Sequence, residues 1–547
     1  MLVSPGGKIH TSVSSLLGEL HQHRDNPEGY IHQITGNLHI RKEEKDKFGE
    51  VFTPNHLIND MLDKLPIEIW SNPDNKWLDP ATGFGNFQMV VYARLMRGLE
   101  GVIPDPAVRS EHIIRNMIFM VEFNQNNCKI VEKIFGTASN LCCSSFLEPF
   151  VFTGVPSTQQ YNVIVGNPPF NADQKHEGKK GGGTNLWPLF VEKSLDMMLA
   201  VNGYLVFVHP ALWRKPPSDR ARTLFDKMVH TNYMSYLELH SKSDGKRDFN
   251  AQTPYDYYCI QKITPRTPGL SVTTVKDREG KHHHLDLSRW NFLPNHSFEL
   301  IQQLITQDIE QSAVIFHRSQ FGTDKKWVKA EKDETHQYPL IHSTPIGGPR
   351  IYWSSTKNQP HIPMFGVPKV IFGESGVNEA IIDMTGEYGM TQGAIGLKIQ
   401  EPREVNGPLL KHALESELFA HILSAMSFSN FRIDWRMFLY FKPDFYMLPI
   451  FKDSPKIIKQ CKRTASGRCE DEDEDEDEDE GRHSIMSSMR MIQSRPSRKS
   501  PSVSRRRVSN ETTKSKRSPG NKSSQRGGIS RRRKRSFKRR KYYTRRK

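Results

Sequence analysis

Short apolar runs alternate with amphipathic stretches from residue 57 to residue 260, and this rhythm predicts the fold. Leu57, Ile58, Met61, Leu62 and Leu65 recur at helical spacing behind Thr53-Pro54. That pattern predicts a helix capped by Thr53 with Pro54 at its first position. Trp77-Leu78-Asp79 reads as a short strand, followed by a glycine-containing turn and a helix over about 88–96. Further β-favouring runs lie at residues 117–121, 140–143, 161–166, 204–208, 236–239 and 255–260, with helical patterns at 128–135, 186–199 and 220–229. Seven strands with helices between most of them predict an α/β fold, a Rossmann-like, mostly parallel sheet covered on both faces. Ahead of it lies a polar N-terminal extension, residues 1–47, with a short helix expected near 13–20.

Past residue 264 the rhythm changes to short strands and helices rich in aromatics and turns, up to about residue 455. Examples are Ile351-Tyr352-Trp353 and Val370-Ile371-Phe372. This is expected to be a second, mixed α+β domain. Residues 456–547 are too polar to pack and are expected to be a disordered tail.

Charge sharpens that division. The net charge of +16 is carried by an appendage: residues 481–547 hold +24, residues 470–480 hold −11, and residues 1–469 hold only +3. The basic stretch predicts loose, salt-dependent binding to nucleic acid, and Arg531-Arg532-Arg533-Lys534-Arg535 fits a nuclear-import or nucleic-acid patch. A nucleus or a viral particle would suit such a tail. The six cysteines show no metal-ligand spacing, and Cys142-Cys143 reads as buried strand residues in a reducing compartment rather than as disulfide partners. His282, His283 and His284 read as part of a polar loop, and no metal site is expected. The N-terminus lacks an export signal and no apolar run approaches a membrane span, so a soluble intracellular protein is expected.

The candidate chemistry collects at predicted strand ends. Asn167-Pro168-Pro169-Phe170 directly follows an apolar strand, and the two prolines fix a rigid loop there. An amide oxygen, a free carbonyl at Pro168 and the ring of Phe170 are what a planar amino-bearing ring requires. Gly83 and Gly85 let the backbone approach a ligand after Asp79, whose carboxylate suits a cationic amino group better than a pyrophosphate. Glu122, at the end of the second strand, is expected to take ribose hydroxyls. A basic, glycine-rich loop at residues 175–183 could close over a phosphate backbone.

In this order, residues 48–54 (Phe-Gly-Glu-Val-Phe-Thr-Pro), Asp79 to Phe87, Glu122, Phe146-Leu147 and Asn167 to Phe170 resemble the γ class of N6-adenine DNA methyltransferases. The resemblance covers residues 48–262, more loosely the region to 455. It implies a seven-stranded catalytic domain over 48–264, a DNA target-recognition domain over 265–455, S-adenosylmethionine as cofactor and duplex DNA as partner. It further implies that Thr53 meets the cofactor's carboxylate, Asp79, Gly83 and Gly85 its methionine part, Glu122 its ribose and Phe146 its adenine. Asn167 and Pro168 would engage the target amino group, while Phe170 and Phe249 would sandwich the extruded base. The family's acid before the Phe-Leu pair is Ser145 here, so weaker adenine binding is expected. The alternatives are an Asn-Pro-Pro enzyme acting on RNA or a protein glutamine, and a non-catalytic basic nucleic-acid-binding protein on a retired methyltransferase fold. A nuclease fusion finds no convincing motif in the chain.

Overall fold

The computed structural model describes residues 16–35, 52–170, 185–217, 224–263, 272–306, 313–316, 321–358, 364–428, 432–456, 462–463 and 469–470. These belong to one compact unit, Met1–Glu474. Residues 36–51, the glycine-rich loop at 175–183 and the acidic and basic tail beyond 470 lie outside the described residues, so the expectations attached to them rest on sequence. Of the stretch expected to start the disordered tail, Lys456 and two short strands are described, Lys462–Arg463 pairing antiparallel with Cys469–Glu470. The Lys456 ammonium pairs with Glu415 at 3.2 Å.

A nine-stranded sheet organises the first part of the chain, in the order β3-β2-β1-β4-β5-β7-β6-β8-β9. β1 (Trp77–Asp79), β2 (Ile118–Val121), β3 (Asn140–Cys142), β4 (Tyr161–Gly166) and β5 (Leu199–Pro210) run parallel. β7 (Tyr255–Gln261) is antiparallel to β5 and to β6 (Tyr233–Leu239). The inner strands are buried on both faces, which is why they read as continuous apolar runs rather than alternating ones. Successive residues nevertheless serve opposite faces. Trp77, Val163 and Val165 join one core, while Leu78 and Ile164 join the other.

Two of the nine strands lie beyond the boundary drawn at residue 264. β8 (Val272–Lys276) pairs parallel with β6, and β9 (His282–Asp286) pairs antiparallel with β8. The three histidines expected in a polar loop therefore stand in an edge strand. One core cluster also runs without a break from Leu78 and Phe119 to Phe419 and Phe451. Two four-stranded sheets follow in the later region: one orders Ile315–Phe316, Ala394–Lys398, Lys369–Gly373 and Gly376–Asp383, the other Val328–Lys329, Arg350–Ser354, Tyr338–Ser343 and Gly389–Met390. The first contains Lys369–Gly373 and the second Arg350–Ser354, both legible as apolar runs.

Several local expectations change. The N-terminal extension packs into the second core through helices Gly18–Gln22 and Pro27–Thr35, with Leu17, Leu20, Tyr30 and Ile31 buried. Gly18 and Gly136 make this possible: a Cβ on Gly18 would lie 2.4 Å from the Gly136 nitrogen. The helix that follows Thr53 spans Asn55–Leu62, and its cap is Pro54, so Thr53 is released for another task. Helix Lys242–Phe249 was not apparent from its polar sequence. It forms through a capping box between Ser241 and Asp244. Cys128 and Cys143, expected as free thiols, are joined in a disulfide, because the first turns of helix Gln125–Phe135 bring Cys128 to within 6.1 Å (Cα–Cα) of the end of β3. Among the described residues no helix is long and apolar enough to cross a membrane.

Candidate active site

The strand order reverses between β1 and β4, because β1 leads outward to β2 and β3 while β4 leads to β5. In open α/β sheets the crevice beyond the strand ends at such a point is where ligands bind. Asp79 ends β1, Glu122 directly follows β2, and Asn167 directly follows β4. Three residues distant in sequence thus share one edge of the sheet. At the opposite ends of the same strands Lys76 and Asn162 fix the register, since the Lys76 amide donates to Asn162 Oδ1 at 2.8 Å and the Asn162 amide to the Lys76 carbonyl at 2.9 Å. Gly166 permits close contact between the two strand ends: a Cβ on it would stand 2.9 Å from Asp79 Oδ1.

Asp79 is almost fully buried. Its Oδ1 accepts the Ala81 amide at 3.1 Å, while Oδ2 has no partner. Burial pushes its carboxyl up to about 7, the negative Glu122 adds to the rise, and the Ala81 N–H and the nearby Thr82 hydroxyl oppose it. A buried carboxylate with an orphaned oxygen and a raised pKa is poised for a cation.

Glu122 braces the glycine turn. Its Oε2 accepts the Gly83 amide at 2.8 Å and its Oε1 the Asn124 amide at 2.7 Å. Oε1 also takes the Asn127 side-chain amide at 3.4 Å. Gly83 has φ +56 with open space where a Cβ would point, and Gly85 has φ +88 with Phe135 2.9 Å from that position. Gly83 therefore faces the crevice, and Gly85 packs the turn onto the helix behind.

Asn167 is oriented by Thr53. The amide nitrogen donates to Thr53 Oγ1 at 3.1 Å, and Oδ1 is buried with no partner. A buried acceptor left unpaired costs about 1–3 kcal/mol, so a ligand's N–H donor at this oxygen would recover that cost. Sequence reasoning gave Thr53 to helix capping and to the cofactor. Its observed contact is with Asn167.

Phe170 and Phe249 approach with ring centroids 6.5 Å apart and planes at 80°. The two rings are neighbours, edge to face, rather than the parallel walls of a sandwich. Phe249 is held by the helix that ends on it, with Asn250 at φ 50 turning the chain away. Asp248 ties that helix down by accepting from Tyr255 at 2.6 Å and lying 3.4 Å from His56, on the helix behind Thr53.

Phe146 departs from its expected place. Its ring is 1% exposed, stacks on Phe190 at 5.1 Å and carries the Lys193 ammonium 4.9 Å from its centroid. It is a core residue in this conformation. Ser145, the departure noted in sequence, accepts the Leu147 amide at 3.3 Å and so shapes a local turn. The residue that sequence reasoning missed is Phe123. It immediately follows Glu122 and is 63% exposed, and an exposed aromatic directly after a strand-end acid was a readable signal.

Comparison with known proteins agrees with this geometry. Residues 109–242 match the family model of the Eco57I restriction-modification methylase. A Mycoplasma pneumoniae protein described as an uncharacterized adenine-specific methylase is 44% identical over 337 residues, covering 48% of this chain and 79% of the relative. Among solved structures, a Listeria monocytogenes class I S-adenosylmethionine-dependent methyltransferase overlaps 47% of this chain and 75% of its own, at 13% identity and a TM-score of 0.32. The type IIL restriction-modification enzyme MmeI, solved with DNA, overlaps 73% and 69% at 10% identity and a TM-score of 0.44. A type I modification subunit from Vibrio vulnificus is covered over 54% of its length, at 15% identity and a TM-score of 0.33. On the strength of the Mycoplasma relative and the strand-end residues together, the chain belongs to the adenine-specific methylases of restriction–modification type.

Proposed function

We propose that the chain transfers a methyl group from S-adenosylmethionine to the N6 amino group of an adenine extruded from duplex DNA. The observation that carries this reading is Asn167 Oδ1: buried, without a partner, and held in direction by Thr53 on the amide's other side.

The residues present fit the cofactor. Asp79 Oδ2 offers an unpaired acceptor for an ammonium, Glu122 sets a carboxylate at the end of β2 where a ribose diol would lie, and Gly83 leaves space for a close approach. S-adenosylmethionine, when bound, supplies an electrophilic methyl on a sulfonium. Phe123 is the exposed ring beside Glu122, and we assign it rather than Phe146 to the adenine of the cofactor.

An aromatic amino nitrogen is a weak nucleophile because its lone pair is delocalised into the ring. Asn167 Oδ1 and the Pro168 carbonyl accept its two N–H bonds, drawing the nitrogen toward tetrahedral geometry and freeing the lone pair. The cofactor would supply the methyl to that lone pair, and the nitrogen's surplus proton would leave to solvent. Phe170 offsets part of the unstacking cost of the extruded base, a few kcal/mol, with Phe249 turning to complete the wall. The region over 265–455 would supply the base readers.

The test is transfer of labelled methyl from S-adenosylmethionine to duplex DNA, with the product mapped to adenine N6. Asn167→Ala should cut transfer by on the order of a hundredfold or more while cofactor binding persists. Binding of DNA and cofactor by the wild-type chain without any transfer would overturn the reading.

A further inference from the structure

Well away from the methyl-transfer residues in sequence, three side chains with ligand chemistry meet where the β8–β9 turn touches helix Glu417–Ala425. Glu279 lies in that turn, His296 precedes helix Phe298–Leu304, and His421 stands on helix Glu417–Ala425. One ligand atom from each falls within 4.8 Å of the other two. His296 Nδ1 is 3.6 Å from Glu279 Oε1, and the two imidazole centroids are 4.8 Å apart.

The imidazoles aim at a common point. Ser297 Oγ lies 2.9 Å from His296 Nδ1 and 2.7 Å from His421 Nε2. Ser297 holds φ 58 and ψ 38, a left-handed conformation that costs a non-glycine residue about 1 kcal/mol or more. Backbone bonds assemble the segments independently of these side chains: the Asn295 amide donates to the Ala425 carbonyl at 2.7 Å and the Arg278 amide to the Asn295 carbonyl at 3.2 Å.

The tautomer of His296 follows from its neighbours. Ser424 Oγ donates its only proton to the His421 carbonyl at 2.8 Å, so it accepts from His296 Nε2–H at 3.1 Å. Nδ1 then keeps its lone pair, directed toward Glu279 and Ser297. A metal-ligating histidine whose other nitrogen donates to a fixed acceptor is the usual outer-shell arrangement. Glu279 is similarly oriented, its Oε2 taking the Lys281 ammonium at 2.7 Å and leaving Oε1 toward the histidines.

We propose that Glu279, His296 and His421 bind one Zn²⁺, through Oε1, Nδ1 and Nε2 with water as fourth ligand, and that the ion fastens the β8–β9 turn to helix Glu417–Ala425. Two imidazoles and a carboxylate plus water match the ligand preference and number of zinc. Tetrahedral geometry draws the three atoms closer than they now stand, which the exposed His421 and part-exposed Glu279 can follow by rotation. The proposal is independent of the methyl-transfer reading.

The experiment uses the full chain, stripped with a chelator, titrated with Zn²⁺ against a chromophoric zinc indicator, with Co²⁺ absorption followed in parallel. One Zn²⁺ per chain is expected, together with a rise in Tm that His421→Ala and Glu279→Gln each remove. Ser424→Ala should weaken binding about tenfold or more, and the double substitution His282→Ala/His284→Ala should leave it intact. No stoichiometric ion in the wild type, or an ion retained by both His421→Ala and Glu279→Gln, overturns the assignment. Both substituted side chains are at least partly exposed, and circular dichroism checks that each variant folds.

Discussion

Asn167 donates its amide hydrogen to Thr53 across 114 positions of sequence, at 3.1 Å, and this one bond decides which way the amide oxygen points. Without it the amide could turn over and offer N–H groups where acceptors are required. Thr53→Val keeps the shape and removes the oxygen. A neutral hydrogen bond contributes about 1 kcal/mol net, so kcat should fall roughly fivefold with little change in Tm. Asn167→Ala, which deletes the acceptor itself, should cost on the order of a hundredfold or more. Equal losses from both substitutions would show that Thr53 acts on something other than the amide's direction.

The raised carboxyl of Asp79 makes cofactor binding depend on pH. Without ligand its pKa stands at about 7, lifted first by burial and then by Glu122. An ammonium prefers the charged carboxylate, so below pH 7 binding must release a proton. Affinity for S-adenosylmethionine should therefore rise with pH, approaching tenfold per unit below 7, and level off above it. Stability runs the other way. A folded pKa above the unfolded value gives a contribution present below about pH 4 and lost as pH rises through about 7. Asp79→Asn should thus flatten the binding profile and raise the Tm of the ligand-free protein at pH 8 but hardly at pH 4. Calorimetric titration across pH 5–8 and thermal melts across pH 4–8 check both signs.

The proposed assignment of the cofactor's adenine to Phe123 rather than Phe146 gives the two phenylalanines opposite signatures. Phe123→Ala should raise the KM for S-adenosylmethionine while leaving Tm nearly unchanged, because the ring is exposed beside Glu122. Phe146→Ala should instead cost about 3–5 kcal/mol of stability, as expected for a buried aromatic stacked on Phe190. If Phe146→Ala melts like the wild type but binds the cofactor poorly, the assignment reverses.

Much of this fold could be read in the sequence because the strands are buried on both faces. Continuous apolar runs such as Tyr161–Gly166 have one plausible structure when prolines close them. The strand-end acids Asp79 and Glu122 and the Asn167 loop were legible for the same reason: each follows directly on such a run. What escaped depended on pairing and packing partners far away in sequence. The boundary at 264 was invisible as a continuation because β8 and β9, the last two strands of the sheet with β9 at its edge, are half exposed, with His282, His283 and His284 masking the pattern. Helix Lys242–Phe249 is polar throughout and is specified by its cap, and the N-terminal helices are specified by glycines 118 positions apart. Phe146 was assigned by resemblance, which gives a residue's neighbours in sequence but not the ring that covers it.

The buried pair of Arg214 and Asp256 gives the last prediction, on how the two halves of the chain hold together. Neither side chain is exposed. Arg214 Nε and Nη2 reach the two carboxylate oxygens at 2.6 and 3.1 Å, and Trp213 Nε1 adds a third donor at 2.9 Å. The remaining guanidinium hydrogens go to the Leu293 and Pro294 carbonyls and to Asn295 Oδ1, beyond the boundary at 264. Every N–H of Arg214 is thereby satisfied, and β7 is bound to the segment that carries His296. Arg214→Met strands a buried carboxylate and should cost about 3–5 kcal/mol. Arg214→Met with Asp256→Leu removes both charges and should recover part of that loss, though not the bonds to residues 293–295. Denaturation midpoints of the single and double variants measure the difference. If the double variant is no more stable than Arg214→Met, the cost lies in the lost carbonyl contacts, and the guanidinium serves the join between the halves more than it serves Asp256.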